Sequence, residues 1–261
     1  MQLTIGQYFP GNSFVHRLDP RTKLLLTIAL IAAVFVAHSV IGYAVLYAFV
    51  LAVIYLSKIS IKYVVRGLKP ILFIVIFTFL LNVFFTGGGN VIFTWKFISI
   101  TDTGVLSATK MALRLILLVA VTQLLTLTTS SIALTDGLET LTKPLEKLHF
   151  PSHEMAMMMS IALRFIPTLM EETDKIMKAQ QARGADFSSG GLVKRAKALL
   201  PLLIPLFVGA FRRADELAMA MEARCYRGGN GRTRMKQLIY SKLDLQAAIC
   251  VLVLIVIIAL V

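Results

Sequence analysis

Cysteine, tryptophan and acidic side chains are scarce in this sequence. Its 261 residues include two cysteines, one tryptophan, and 14 acidic residues against 27 basic ones. Cys225 and Cys250 have no paired spacing with histidines, so we expect neither a disulfide nor a metal site. The first residues, MQLTIG, contain no basic region followed by an apolar one, so we expect no cleaved signal peptide.

The common sequence patterns of enzymes are also missing. His153 and Glu154 are not followed by the second histidine that a zinc protease helix needs. His149 lies four residues before His153, but Pro151 between them disfavours a helical metal site. The glycines at 87–89 are not followed by Gly-Lys-Ser/Thr, so they do not form a phosphate-binding loop. We therefore predict a chain without catalytic activity that binds no metal or cofactor itself.

Apolar residues, by contrast, are abundant. Hydrophobic residues make up 57% of the chain and charged ones 16%, and the mean hydropathy is +0.78. These values are typical of an integral membrane protein. In a soluble protein, the net charge of +13 would suggest a nucleic-acid partner. Here 24 of the 27 basic residues lie in three segments, namely those before residue 24, at 58–69 and at 129–242.

The uncharged runs between these segments predict about five transmembrane helices in an all-α protein. Residues 24–57 carry no charge, and one helix of that length would measure about 51 Å, well beyond a bilayer core of about 30 Å. We therefore predict two spans joined near 38–42. The other spans are predicted at residues 70–89, 104–135 and 243–261. The positive-inside rule places the N-terminus and 129–242 on the cytoplasmic side of the membrane, in contact with lipid, and the C-terminus outside.

Two features of the membrane part stay open from the sequence. Residues 91–100 alternate and contain Trp95, which indicates a short hairpin or an interfacial anchor. Lys110 and Arg114 are one helical turn apart and share a face, either toward the bundle interior or toward the lipid headgroups.

The predicted cytoplasmic part contains two long amphipathic segments with matching ends. We divide the chain into a lead-in with four spans (1–128), this cytoplasmic domain (129–242) and a last span (243–261). Residues 151–181 lead into Ala182-Arg183-Gly184, and residues 199–222 lead into Ala223-Arg224-Cys225.

Each ending places one arginine at the end of an apolar helix. A guanidinium there is favoured by the helix dipole and can bind a partner's carboxylate bidentately. The simpler interpretation is a surface arginine at a helix end. Two matched arginines, 41 positions apart (224 − 183), favour a partner with two sites.

Several motifs together resemble those of the transmembrane T component family of energy-coupling factor (ECF) transporters, bacterial importers powered by ABC-type ATPases. They run in the same order over nearly the whole chain and are highly specific as a set. They are PGNS at 10–13, LDPR at 18–21, ALRFIP at 162–167, QQARG at 180–184, RRA at 212–214, MEAR at 221–224 and RT at 232–233.

The resemblance implies that 129–242 forms long crossed coupling helices that lie in grooves of two ATPase subunits, a heterodimer in our expectation. It implies that Arg183 and Arg224 each dock on one ATPase, and that ATP and Mg²⁺ are bound by those partners. One or several vitamin- or micronutrient-binding S components would lie on the apolar face of these helices. The expected contact residues are Met155, Met158, Met159, Leu203 and Leu206. Cys225 stands where the family usually has glycine or serine.

Three other functions make different predictions. A stand-alone secondary transporter would take up substrate alone and depend on Lys110 or Arg114. An intramembrane enzyme would need a catalytic dyad. A membrane-tethered nucleic-acid binder would show strongly salt-dependent DNA binding by 129–242.

Overall fold

A computed structural model describes residues 8–86, 88, 91–95, 98–185, 187, 191–228 and 237–260. The described residues form nine α helices, a short 3₁₀ helix and one two-stranded sheet. The elements are α1 (Phe14–Arg17), α2 (Pro20–Val36), α3 (Val40–Ser57), α4 (Ile61–Phe85), β1 (Val91–Trp95), β2 (Ile98–Thr101), α5 (Asp102–Thr128), α6 (Ser131–Thr142), the 3₁₀ helix (Lys143–Leu148), α7 (Ser152–Ala182), α8 (Leu192–Ala223) and α9 (Lys242–Leu260). The all-α class is confirmed, with the two short strands as a small addition.

The chain divides into two compact units. The first comprises Met1–Leu141 together with Gln237–Val261, and the second comprises Thr142–Lys236. The functional division proposed from the sequence, at 128/129 and 242/243, remains a prediction.

Four helices of the first unit are long and apolar enough to cross a membrane, namely α3, α4, α5 and α9. Helix α2, with 17 residues, is at the lower limit for a span. The predicted break in 24–57 is confirmed, because α2 ends at Val36 and the Ser39 hydroxyl caps the start of α3. The hairpin is also confirmed, since β1 pairs with β2 in antiparallel register.

Two helices have other limits than the predicted spans. Helix α4 begins at Ile61 instead of residue 70, because the basic residues before Pro70 are good helix formers and the helix tolerates this proline in its interior. Helix α5 ends at Thr128 instead of residue 135. Thr129 has extended backbone angles, and the Ser130 hydroxyl accepts a hydrogen bond from the Ala133 N–H as the next helix starts.

The core of the first unit is formed by α2, α3, α5 and α9. Its best-buried side chains include Val34, Leu46, Leu117 and Leu127. Helix α4 packs on α5 and exposes most of its apolar residues, as a lipid-facing helix does.

Arg114 points into this bundle, which resolves one of the open questions. Its Nε donates to the Tyr43 hydroxyl at 3.1 Å, and its guanidinium lies 5.5 Å from the centre of the Phe35 ring. The ring contact is a cation–π interaction, and the described residues give this guanidinium no acidic partner.

A polar cluster, which we call the clasp, ties three helix ends of the first unit together. It consists of Asp19, Arg21, Lys23, Thr128 and Asp244, all of them buried. One carboxylate oxygen of Asp244 accepts from the backbone N–H of Asp19 at 2.8 Å. The Arg21 guanidinium donates to both carboxylate oxygens of Asp19, each at 3.0 Å. Lys23 Nζ donates to the Thr128 carbonyl at 3.0 Å. The first turns of α2 and α9 and the last turn of α5 therefore lie side by side.

Candidate docking site at two matched helix ends

Helices α7 and α8 pack against each other in the second unit through an ion pair. The Arg213 guanidinium lies 2.5 Å from a carboxylate oxygen of Glu172. Gly209, one turn before Arg213, gives Glu172 its space, since a Cβ at 209 would lie 3.0 Å from the other carboxylate oxygen. The ion pair and the glycine together mark a close approach of the two helices.

We expect Arg213→Glu to weaken the α7–α8 contact and the swapped pair Glu172→Arg, Arg213→Glu to restore most of it. Both side chains are more than a quarter exposed, so the loss should be about 1 kcal/mol. Thermal unfolding of the full chain in detergent, for both single variants and the double variant, measures the coupling. If the loss of stability in the double variant equals the sum of the losses in the two single variants, the pair does not link the helices.

Helix α7 ends in a left-handed turn directly after Arg183. Arg183 is the C-cap residue, and Gly184 has φ +85°. The backbone N–H of Ala185 then donates to the carbonyl of Gln180 at 3.0 Å. This is the Schellman arrangement, in which glycine takes the left-handed position at little steric cost.

Helix α8 ends in the same way. Arg224 is the C-cap residue, Cys225 has φ +56°, and the N–H of Tyr226 donates to the carbonyl of Met221 at 3.0 Å. The repeated sequence ending is therefore also a repeated backbone geometry. Cys225 adopts it against a steric cost of about 1–2 kcal/mol for a residue with a Cβ.

We expect Cys225→Gly to slow amide hydrogen exchange at Tyr226 by up to about fivefold, because glycine removes the steric cost of the left-handed turn. Gly184→Ala should have the opposite effect at Ala185, where the same turn would gain a Cβ. Hydrogen exchange with mass-spectrometric readout on the full chain measures both. Equal exchange in all three chains would mean that the turns contribute nothing to the helix ends.

All six predicted docking residues are exposed. They are Ala182, Arg183, Gly184, Ala223, Arg224 and Cys225. Among the described residues, the structure gives neither arginine a side-chain hydrogen bond or an ion pair. Both guanidinium groups are therefore available to a partner.

The apolar part of α7 and α8 has little core of its own. Met155, Met158, Met159 and Leu203 are exposed, and Leu206 is partly buried. Only Ser152 and Ala156 of α7, and Leu202 among the described side chains of α8, are buried. Large apolar side chains cover much of the rest of α8, namely Leu199, Leu200, Ile204, Phe207, Val208 and Phe211. Contiguous apolar surface of this kind marks a site for protein or lipid contact.

Known proteins are similar to this chain in sequence over nearly its whole length. The family model CbiQ, described as a cobalt transport protein, matches residues 11–236. The energy-coupling factor transporter transmembrane protein EcfT of Clostridium kluyveri is 58% identical over 254 residues, covering 97% of this chain and 94% of that one. The protein of the same name from Bacillus subtilis is 51% identical over 252 residues, covering 97% and 95%. The chain belongs to the EcfT family.

Membership of this family confirms the resemblance seen in the sequence and makes the chain a transmembrane component of an energy-coupling factor transporter. A third relative, the EcfT protein of Thermosediminibacter oceani, is 60% identical over 248 residues, which is 95% of this chain and 93% of that one. The matches extend through both compact units, so the helix ends at Arg183 and Arg224 lie within the shared part.

Sequence reasoning missed two contacts that organise the molecule. It noted Arg213 within a motif but found no partner for it, and the isolated Gly209 inside α8 was the one signal of a close approach. The predicted span 243–261 includes Asp244 without a partner, whereas the structure places this carboxylate in the clasp. Among the described residues, no cluster of three or more His, Cys, Asp and Glu could hold a metal ion.

Proposed function

We propose that this chain is the non-catalytic coupling subunit of an ECF-type importer. It links ATP hydrolysis by two ABC-type ATPase subunits to the movement of a substrate-binding S component. ATP and Mg²⁺ are bound by the ATPases, and the transported vitamin or micronutrient is bound by the S component.

The observation that carries this proposal is the matched pair of exposed helix ends. Two arginines with the same backbone geometry, each without a partner in the described part of the chain, suit two similar acidic sites on two related subunits. A helix that docks in a groove gains affinity from apolar contacts and register from a charged contact.

The membrane orientation is part of the same proposal. Within the first unit, the clasp joins the starts of α2 and α9 to the end of α5. Four basic residues lie near the start of α4, at 58, 62, 66 and 69. By the positive-inside rule, this side faces the cytoplasm and the end of α9 faces outward.

The exposed apolar side chains of α7 and α8 support a contact with the S component. Methionines such as Met155, Met158 and Met159 are flexible and polarizable, and they adapt to surfaces that change or slide. This suits a partner that must reorient during transport.

Reconstitution distinguishes the proposal from a stand-alone transporter. The chain is purified alone, with the host's candidate ATPase pair, and with the pair and an S component, and each set is placed in vesicles. We expect ATP-driven uptake of the S component's ligand only with the complete set. Gradient-driven uptake by the chain alone would instead establish a secondary transporter.

A further inference from the structure

An apolar groove runs along the membrane part of the first unit. Its volume is about 560 Å³, and it lies between α2, α3, α5 and α9 with α1 at one end. Apolar side chains make up most of its lining, among them Leu26, Leu30, Phe49, Val53 and Leu125. From Lys23 to Leu30 it follows seven residues of α2, or about 10 Å.

The two ends of the groove differ in polarity. Lys23, Thr128 and Gln246 line the end next to the clasp, whereas Leu30 and Phe49 line the deeper end. Lys23 donates to two backbone carbonyls, those of His16 and Thr128, so one N–H of its ammonium has no acceptor among the described residues. The groove therefore suits an amphiphile that enters with its polar end toward the clasp.

Three exposed cations lie close in sequence to residues that line the groove. Arg17 adjoins the lining residue Leu18, Lys58 follows the lining residue Leu56 by two positions, and Lys242 lies one turn before Gln246.

The acidic residues of the same segments do not offset these charges. Asp19 and Asp244 are both buried and bound within the clasp. The rim therefore presents positive charge that a ligand can neutralise.

We propose that this groove binds one acyl chain of an anionic phospholipid, with the headgroup phosphate held among Arg17, Lys58 and Lys242. The groove lies along helices long and apolar enough to span a bilayer, where hydrocarbon is the surrounding solvent. An acyl chain in the groove gains dispersion contacts with the apolar side chains that line it. Basic residues at a membrane surface attract anionic lipids.

Native mass spectrometry of the full chain tests this proposal. The chain is delipidated in detergent and titrated separately with phosphatidylglycerol and with phosphatidylcholine of identical acyl chains. We expect one phosphatidylglycerol per chain, bound at least tenfold more tightly than phosphatidylcholine. Equal binding of the two lipids, or no saturable binding of either, would overturn the proposal.

Matched variants locate the binding site. Ala247→Trp places an indole in the groove, whereas Ala248→Trp changes the neighbouring residue of α9, which does not line it. We expect the first to lose phosphatidylglycerol binding at least tenfold and the second to keep it.

A rim variant keeps the test independent of folding in the core. The triple change Arg17→Gln, Lys58→Gln, Lys242→Gln alters only exposed side chains and should weaken phosphatidylglycerol at least tenfold, leaving phosphatidylcholine unchanged. Its charge-matched control carries Lys62→Gln, Arg66→Gln and Lys69→Gln, which are exposed residues of α4 that do not line the groove. Equal loss in the two triple variants would show that binding depends on net charge and not on this groove.

Discussion

The double variant Arg183→Glu, Arg224→Glu should lose the ATPase subunits on purification and should support no ATP-driven uptake. Each change replaces a guanidinium that has no partner in the described chain with a carboxylate, which would face the acidic ATPase site that we propose. Losing one buried charge contact typically costs about 2–5 kcal/mol, and the reversed charge adds repulsion. Co-purification from mild detergent and uptake in vesicles measure the two effects.

The control for this variant changes the same charge at neighbouring exposed positions. Lys178 lies on α7 one turn before the helix end, and Arg227 follows Arg224 by three residues. Lys178→Glu with Arg227→Glu should retain the ATPases and most of the uptake. If the two double variants lose the ATPases equally, the effect is one of net charge and the docking role of the arginines is refuted.

Asp244→Ala should destabilise the membrane unit strongly, because the clasp depends on this carboxylate. Its two oxygens accept from the N–H groups of Asp19 and Ser241 at 2.8 and 2.7 Å, and from the Ser241 hydroxyl at 3.0 Å. An unsatisfied buried donor costs about 1–3 kcal/mol, and the Asp19 N–H would be one, whereas the exposed Ser241 can bind water, so we expect a loss of about 2 kcal/mol. We expect a clearly lower melting temperature in detergent.

Asp215→Ala is the matched control, since it removes the same charge from an exposed position of α8. Asp244→Asn should fall between the two, because an amide keeps one acceptor oxygen but presents a donor where the carboxylate accepted. A melting temperature of Asp244→Ala equal to that of Asp215→Ala would show that the clasp does not support the fold.

The sequence predicts the helices of this protein well, because long apolar runs mark the spans. Within a bilayer, the backbone N–H and C=O groups of such a run must bond to each other, which favours a helix. The break between α2 and α3 follows from length alone, and the end of α7 after Arg183 follows from its glycine. The limits of α4 and α5 could not be predicted, because charge and proline mark the membrane surface and not the end of a helix.

The long-range contacts are less visible in the sequence. Nothing in the spacing of Asp19 and Asp244, which are 225 positions apart, indicates that one carboxylate binds the backbone of the other residue. The same holds for Glu172 and Arg213, since each also has oppositely charged neighbours on its own helix. By contrast, the residues proposed for docking stand out in the sequence because a short local motif occurs twice.

Site-directed photo-crosslinking tests the central claim, that two matched helix ends contact two ATPase subunits, most directly. A photoreactive amino acid replaces Ala182 or Ala223 in the full chain, which is irradiated in membranes that contain both ATPases and an S component. Leu51, an exposed apolar residue of α3, serves as the control position. The account predicts that 182 and 223 crosslink to different ATPase subunits and that position 51 crosslinks to neither. Crosslinks from 182 and 223 to the same subunit, or to no ATPase at all, would contradict it.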